Sequence, residues 1–211
     1  MENIVIVDYG SGNVFSVAMA LKNAGITPVL SSNPDVIAKA DRMILPGVGA
    51  FGAAWALLQS SNLIEPIRAF IANDRPFMGI CVGMQMLLDS SDEFGNHPGF
   101  GLIKGAVSKI ANTGINGTQH PVPRVGWYTL SPSKASWAGT ILSNVKPNDA
   151  VYFVHSYAAV PNDEALVLAS STYNGLPVTA AIHLNNVVGV QFHPEKSGPV
   201  GLRIMENFVT L

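Results

Sequence analysis

Pro76-Phe77-Met78-Gly79-Ile80-Cys81-Val82-Gly83-Met84-Gln85-Met86-Leu87-Leu88 joins an apolar, strand-like run to a helix-like run over residues 84–88 through Gly-x-Cys-x-Gly. That is the cysteine form of a nucleophile elbow, in which a strand turns sharply into a helix and lifts the nucleophile to the edge of a sheet. Gly79 and Gly83 stand where a Cβ would collide with neighbouring backbone. Cys81 is the chain's only cysteine, and a helix start beside it favours thiolate over thiol. Spacing alone also admits a buried core cysteine, a common placement for that residue.

Working outward from the elbow, the first ninety residues alternate strand and helix. Residues 4–7, 27–30, 43–45 and 77–80 are apolar runs that read as strands. Residues 14–22, 52–59 and 63–72 read as helices; Gly25 ends the first, and Ser32-Asn33-Pro34 offers a cap with proline at the first helical position. This order predicts an α/β fold with a parallel sheet. The second half is strand-like at 105–110, 151–157, 165–171, 178–183 and 187–192, with tight-turn pairs Asn174-Gly175 and Asn185-Asn186. Antiparallel strands there extend the sheet or form a small second one. A polar loop covers 112–120, and 202–209 is a closing helix. The expectation is one domain over 1–211: a mostly parallel central sheet with flanking helices, plus antiparallel strands in the C-terminal half. Ligands of such sheets gather at the carboxyl ends of strands, where Asp8, residues 46–49 and Cys81 fall.

A thiolate nucleophile needs a base, and the base needs an orienting group. His193 comes directly after the strand-like run 187–192, and Glu195 stands two residues on, across Pro194. An extended chain through Pro194 would point both to one side, and a carboxylate beside an imidazole sets its tautomer and stabilises the imidazolium. A solvated surface turn is the plainer alternative. An oxyanion hole takes one N–H from the residue after the nucleophile, Val82, and one from another loop. The natural donor is Pro46-Gly47-Val48-Gly49, which has neither the lysine nor the glycine spacing of a phosphate loop.

Composition narrows the class. The 211 residues are 48% hydrophobic and 12% charged, with net charge −2, which excludes disorder and gives no basic face for nucleic acid. One cysteine excludes an intrachain disulfide framework and suits a reducing compartment. The uncharged stretches 43–64 and 165–194 are broken by proline, glycine and asparagine, so no membrane span is expected. Met1-Glu2-Asn3 lacks a basic leader, so no signal peptide and a cytoplasmic setting are expected. His97, His120 and His183 lack metal-ligand spacing; no metal or cofactor is expected. His155, after an apolar strand, reads as structural.

The elbow, the His193-Pro194-Glu195 segment and the glycine loop, in this order, resemble class I (triad-type) glutamine amidotransferases. Asp8-Tyr9-Gly10-Ser11-Gly12-Asn13, Leu45 to Phe51, Tyr152 to Tyr157 and Lys196-Ser197-Gly198 resemble the glutaminase-subunit family of imidazole glycerol phosphate synthase. The resemblance implies a flavodoxin-like fold and a Cys81-His193-Glu195 triad that hydrolyses L-glutamine. It implies oxyanion donors at Gly47, Val48, Gly49 and Val82, and substrate contacts at Gln85, Ser156 and Tyr157. It also implies a (β/α)8 barrel partner subunit in a heterodimer with an ammonia channel, met by Asp8, Tyr9, Asn13, Trp127 and Lys196. Pro123-Arg124-Val125-Gly126-Trp127-Tyr128 departs from that family's usual Pro-His-Met-Gly-Trp-Asn near the subunit contact. This leaves open a paralogous pair aminating another acceptor, such as a surface-polysaccharide sugar. The elbow by itself also fits a free-standing cysteine hydrolase.

Overall fold

The computed structural model describes residues 3–133 and 136–211; Met1 and Glu2, part of the start read as leaderless, lie outside them. The first half runs β1 (Ile4–Val7), α1 (Val14–Asn23), β2 (Val29–Ser31), α2 (Pro34–Ala38), β3 (Arg42–Gly47), α3 (Phe51–Ser60), α4 (Ile64–Ala72), β4 (Phe77–Cys81) and a one-turn α5 (Val82–Gln85). The strand-rich second half runs β5 (Leu88–Ser91), β6 (His97–Pro98), β7 (Ile103–Lys109), β8 (Arg124–Thr129) and β9 (Ser131–Pro132). It continues with β10 (Ala150–His155), β11 (Tyr157–Pro161), β12 (Val167–Tyr173), β13 (Leu176–Leu184) and β14 (Val187–Val190), then α6 (Gly198–Thr210).

Eight strands form the central sheet in the order β2-β1-β3-β4-β14-β13-β12-β9. From β2 to β14 neighbours are parallel; from β14 to β9 they are antiparallel. Every residue of β1, β3, β4 and β14 is buried, which is why these strands read as continuous apolar runs rather than alternating ones. The sheet sits in the main apolar cluster, with Phe51, Phe70, Phe77, Phe192 and Phe208 among its largest buried side chains. Parallel pairing of β14 with β4, with Val190 opposite Ile80, puts the chain's two chemical segments at one sheet edge. The remaining strands make a β10-β8 ribbon and a four-stranded sheet, β11-β7-β5-β6. The antiparallel strands thus both extend the main sheet and build smaller ones.

Several expected bounds shift: the strand expected at 27–30 is Val29–Ser31, that at 187–192 ends at Val190, and the closing helix begins at Gly198. Three further differences have a visible cause. The helix over 84–88 stops at Gln85: the Phe100 amide donates to the Met86 carbonyl (2.7 Å) and Gly101 to Leu88 (3.0 Å), drawing the chain into β5. Residues 151–157 are not one strand. The chain breaks at Ser156, whose carbonyl accepts from Ile110 (2.9 Å), so that β10 pairs with β8 and β11 with β7 in separate sheets. The strand expected from 165 begins at Val167, because Asp163 caps a short 3-10 turn at the Ala165 amide (2.9 Å). The turn residues Asn174 and Gly175 both have positive φ, as the sequence pair predicts. Among the described residues no helix is long and apolar enough to cross a membrane.

Candidate active site

The elbow is built by close packing. Cys81 ends β4 with φ +55° and ψ −109° and is 4% exposed. A non-glycine residue is held in such a conformation, which costs about 1–3 kcal/mol, only where its surroundings over-determine it. They do here: a Cβ on Gly83 would overlap the Leu45 carbonyl oxygen, and one on Gly79 would meet the Gly83 backbone. Gly47 of β3 lies in register with Cys81. Because α5 is a single turn, its dipole at Cys81 is small.

His193 arrives from β14. Its segment is not extended: Pro194–Lys196 is a 3-10 turn with proline at its first position. The Ser197 hydroxyl donates to the His193 carbonyl (2.6 Å) and accepts from the Tyr152 amide (2.9 Å), while the His193 amide donates to the Tyr152 carbonyl (2.9 Å). This clamp sets the turn against β10. The turn, rather than strand alternation, brings His193 Nδ1 within 2.8 Å of Glu195 Oε1, with both side chains almost wholly buried. The Asn13 side-chain Nδ2 also donates to Glu195 Oε1 (3.4 Å). The buried His193 Nε2 has no hydrogen-bond partner within the described residues. Burial opposes a charge on His193, but Cys81 and Glu195 outweigh it and raise its pKa to about 10.

A cavity of about 290 Å³ opens on these groups. It gathers Cys81, Val82, His193, Val48, Gly49, Gln85, Ser156 and Tyr157, all picked out from the sequence. Val82 is the first residue of α5, so its amide has no partner inside the helix. Gly49 holds φ +84°, a conformation open to glycine, and the Val48 carbonyl accepts from Ser11 Oγ (3.1 Å). Gly47 lies below, in the sheet. Gln85 is buried, and its Nε2 donates to the Tyr157 carbonyl (2.9 Å) and to Gln191 Oε1 (3.1 Å).

Two lining or supporting residues escaped the sequence reading. Gln191 donates to Cys81 Sγ (3.6 Å); its position two before His193 was the available signal. Glu93 is the only acidic side chain among the described residues that line the cavity, with Oε2 accepting from the Phe51 amide (2.6 Å). It arrives through the β5–β6 turn, which has no local signature.

Of the residues expected to face a partner, Lys196 is exposed at the cavity and Trp127 is 55% exposed on the ribbon. Asp8 is half-buried, its Oδ1 accepting from the Gly10 amide (3.4 Å). Asn13 is turned to Glu195. Tyr9 is not outward: it is buried, with its hydroxyl donating to the Pro46 carbonyl (3.0 Å) beneath the glycine loop. His155 is buried, with Nδ1 bonded to the Tyr157 carbonyl (2.9 Å). Burial, helped by the nearby charge of Arg124, pushes its pKa down to about 4.

The departing stretch forms β8, and strand alternation sorts its changes. Val125 and Trp127 face outward. Arg124 is fully buried, with its guanidinium 4.0 Å from the Tyr128 ring centre, 4.4 Å from Phe153 and 5.1 Å from Tyr173. It donates to Ser171 Oγ (2.6 Å) and the Thr172 carbonyl (3.2 Å). The buried Arg124 and the partly buried Tyr128 are therefore linked, and Val125 is the one of the three altered residues that is exposed.

Comparison with known proteins bears on the family and the fold. The family model described as glutamine amidotransferase class-I matches residues 5–211. The chain is 46% identical over 213 residues to a Legionella pneumophila (strain Lens) protein named imidazole glycerol phosphate synthase subunit HisH 1, covering 100% of both chains. It is 45% identical over 205 residues to imidazole glycerol phosphate synthase subunit HisH of Aquifex aeolicus, covering 97% of this chain and 94% of that one. Among solved structures, one titled as a glutamine amidotransferase superposes with TM-score 0.73 at 18% identity, covering 98% of this chain and 97% of the other. The structure of PurLQS from Thermotoga maritima gives 0.72 at 19%, covering 100% and 99%. At those identities the structures attest the fold.

Proposed function

The chain belongs to the glutamine amidotransferase class-I family, and from that premise we propose how its residues do the family's work. It is a glutaminase that releases ammonia from L-glutamine, as the glutaminase subunit of imidazole glycerol phosphate synthase in histidine biosynthesis. The whole of residues 1–211 serves as one amidotransferase domain, in the cytoplasm. The observation that carries the site assignment is the buried His193–Glu195 pair at 2.8 Å sharing its surroundings with the strained Cys81.

In this reading Cys81 attacks the γ-carbonyl carbon of glutamine. The raised pKa of His193 favours an imidazolium beside a thiolate before attack. The amides of Val82 and the 47–49 loop receive the oxyanion. His193 protonates the departing ammonia, leaving a γ-glutamyl thioester on Cys81. A water, losing its proton to His193, then cleaves the thioester to glutamate and restores the Cys81 thiolate beside the protonated His193. Glu195 orients His193 throughout, and Asn13 steadies Glu195. Glu93, the one acidic side chain among the described lining residues, receives the substrate α-ammonium; Gln85, Ser156 and Tyr157 shape the same end.

Ammonia passes to a (β/α)8 barrel subunit that makes imidazole glycerol phosphate and an aminoimidazole carboxamide ribotide. Asp8, Trp127 and Lys196 meet that subunit. Full-length identity of 45–46% to two histidine-pathway subunits, and the burial of Arg124, favour this acceptor over a surface sugar. The test is glutamate release from L-glutamine together with labelling by a diazo-ketone glutamine analogue. One label, at Cys81, is expected; labelling elsewhere, or glutamine left intact in the presence of the barrel subunit and its ligand, refutes the reading.

A further inference from the structure

Phe94 is 84% exposed, the most exposed large apolar side chain among the described residues. It sits in the turn between β5 and β6 with φ +55°, next to Gly95 at φ +141°. A bulky residue in that region is a genuine outlier, and an open phenyl ring forgoes the benefit of burial. Phe94 does not line the cavity itself but is flanked by two residues that do. The preceding residue, Glu93, lines the cavity and is pinned to the start of α3 through the Phe51 amide (2.6 Å). The Phe94 ring lies 6.4 Å from that of Tyr157, another lining residue, tilted by 58°. The backbone before Phe94 is thus anchored at the cavity, and the exposed ring touches a second lining residue.

We infer that Phe94 is the cover of the substrate cavity: its ring folds over the Cα–Cβ portion of the bound amino acid, with Tyr157 as the opposite wall. This rests on the glutamine reading, which puts the γ-amide at Cys81 and the α-ammonium at Glu93, so that the aliphatic carbons span the gap beside Phe94. Phe94 thereby sets how tightly the amino-acid end is held and takes no part in bond making.

Equilibrium binding of L-glutamine to the Cys81→Ala chain, in which the ligand survives, tests this. Adding Phe94→Ala should weaken the dissociation constant about five- to tenfold, the effect of exposing a few tens of Å² of apolar contact. Phe94→Leu, which keeps an apolar cover, should stay within about twofold. The ring is exposed, so neither change should lower the unfolding midpoint. Unchanged affinity in Phe94→Ala overturns the inference and leaves the glutamine reading standing. Unchanged affinity with loss of association with the synthase partner would assign the ring to an interface instead. Absence of any glutamine binding by Cys81→Ala alone overturns both readings.

Discussion

Cys81 owes its position to neighbours that allow no alternative: with Gly83 pressed on Leu45 and Gly47 in register, the sulfur is aimed before any ligand arrives. Substitutions at the sulfur should therefore be chemically severe and structurally mild. Cys81→Ala or Cys81→Ser should lower glutamine turnover by at least about a thousandfold with an unchanged circular dichroism spectrum, since loss of one triad member typically costs that much. His193→Ala should be nearly as damaging. Glu195→Gln should keep partial turnover under the proposed role, in which Glu195 orients a proton carrier; equal turnover in Glu195→Gln and wild type would reduce the proposed triad to a dyad. His155 makes a separate prediction. Its folded pKa of about 4 lies below the ordinary 6.5. Between those values the unfolded chain binds a proton that the native chain refuses, so stability falls as pH drops from 6.5 towards 4. His155→Leu should flatten the acid limb between pH 6.5 and 5, removing about 2 kcal/mol of pH dependence; urea midpoints at the two pH values measure it.

At the scale of elements, the β8–β10 ribbon shows what strand alternation does with an inherited stretch. Among the described residues no carboxylate stands against Arg124; three aromatic rings and two hydrogen bonds hold its charge. Lysine offers neither the planar face nor the fork of donors. Arg124→Lys should destabilise the protein by about 2–3 kcal/mol, whereas Arg124→Met, which removes the charge, should cost less than half as much. Chemical denaturation of the two variants ranks them. The same ribbon marks where sequence reading stops. The inner parallel strands β1, β3, β4 and β14 were legible because burial on both faces leaves apolar runs in the chain itself. The break at Ser156 was not, because residues 151–157 are uniformly strand-like and only the competing partners β8 and β7 divide them. α5 ended early for a similar reason: Met86 and Leu88 suit a helix, and hydrogen bonds from residues 100–101 settle the matter. Cys81, His193 and Glu195 carried motif spacing and could be found; Glu93 and Arg124 acquire their settings only from long-range contacts.

For the molecule as a whole, parallel pairing of β1, β3, β4 and β14 sends four carboxyl ends to one edge, and the site is assembled from the segments just beyond those ends. Asn13, after β1, touches Glu195, after β14; Ser11 touches Val48, after β3. Those links tie the outward α1 face, where Phe15 and Met19 stand exposed, to both the triad and the glycine loop. A peptide rotation at Val48-Gly49 would move an N–H into or out of the proposed oxyanion hole, worth roughly two to three orders of magnitude in rate. The isolated chain should accordingly hydrolyse glutamine slowly, and the barrel subunit with its ligand should raise turnover by roughly a hundred- to a thousandfold. Glutamate release with and without that subunit is the measurement; full activity of the lone chain would remove the gating and favour a free-standing hydrolase. The solitary thiol has one more consequence. An oxidant that converts Cys81 to a sulfenic acid finds no second cysteine in the chain to condense with, so no internal disulfide can shelter the sulfur from further, irreversible oxidation. Recovery must come from a thiol supplied from outside, which ties the enzyme's working lifetime to the reducing power of the fluid around it.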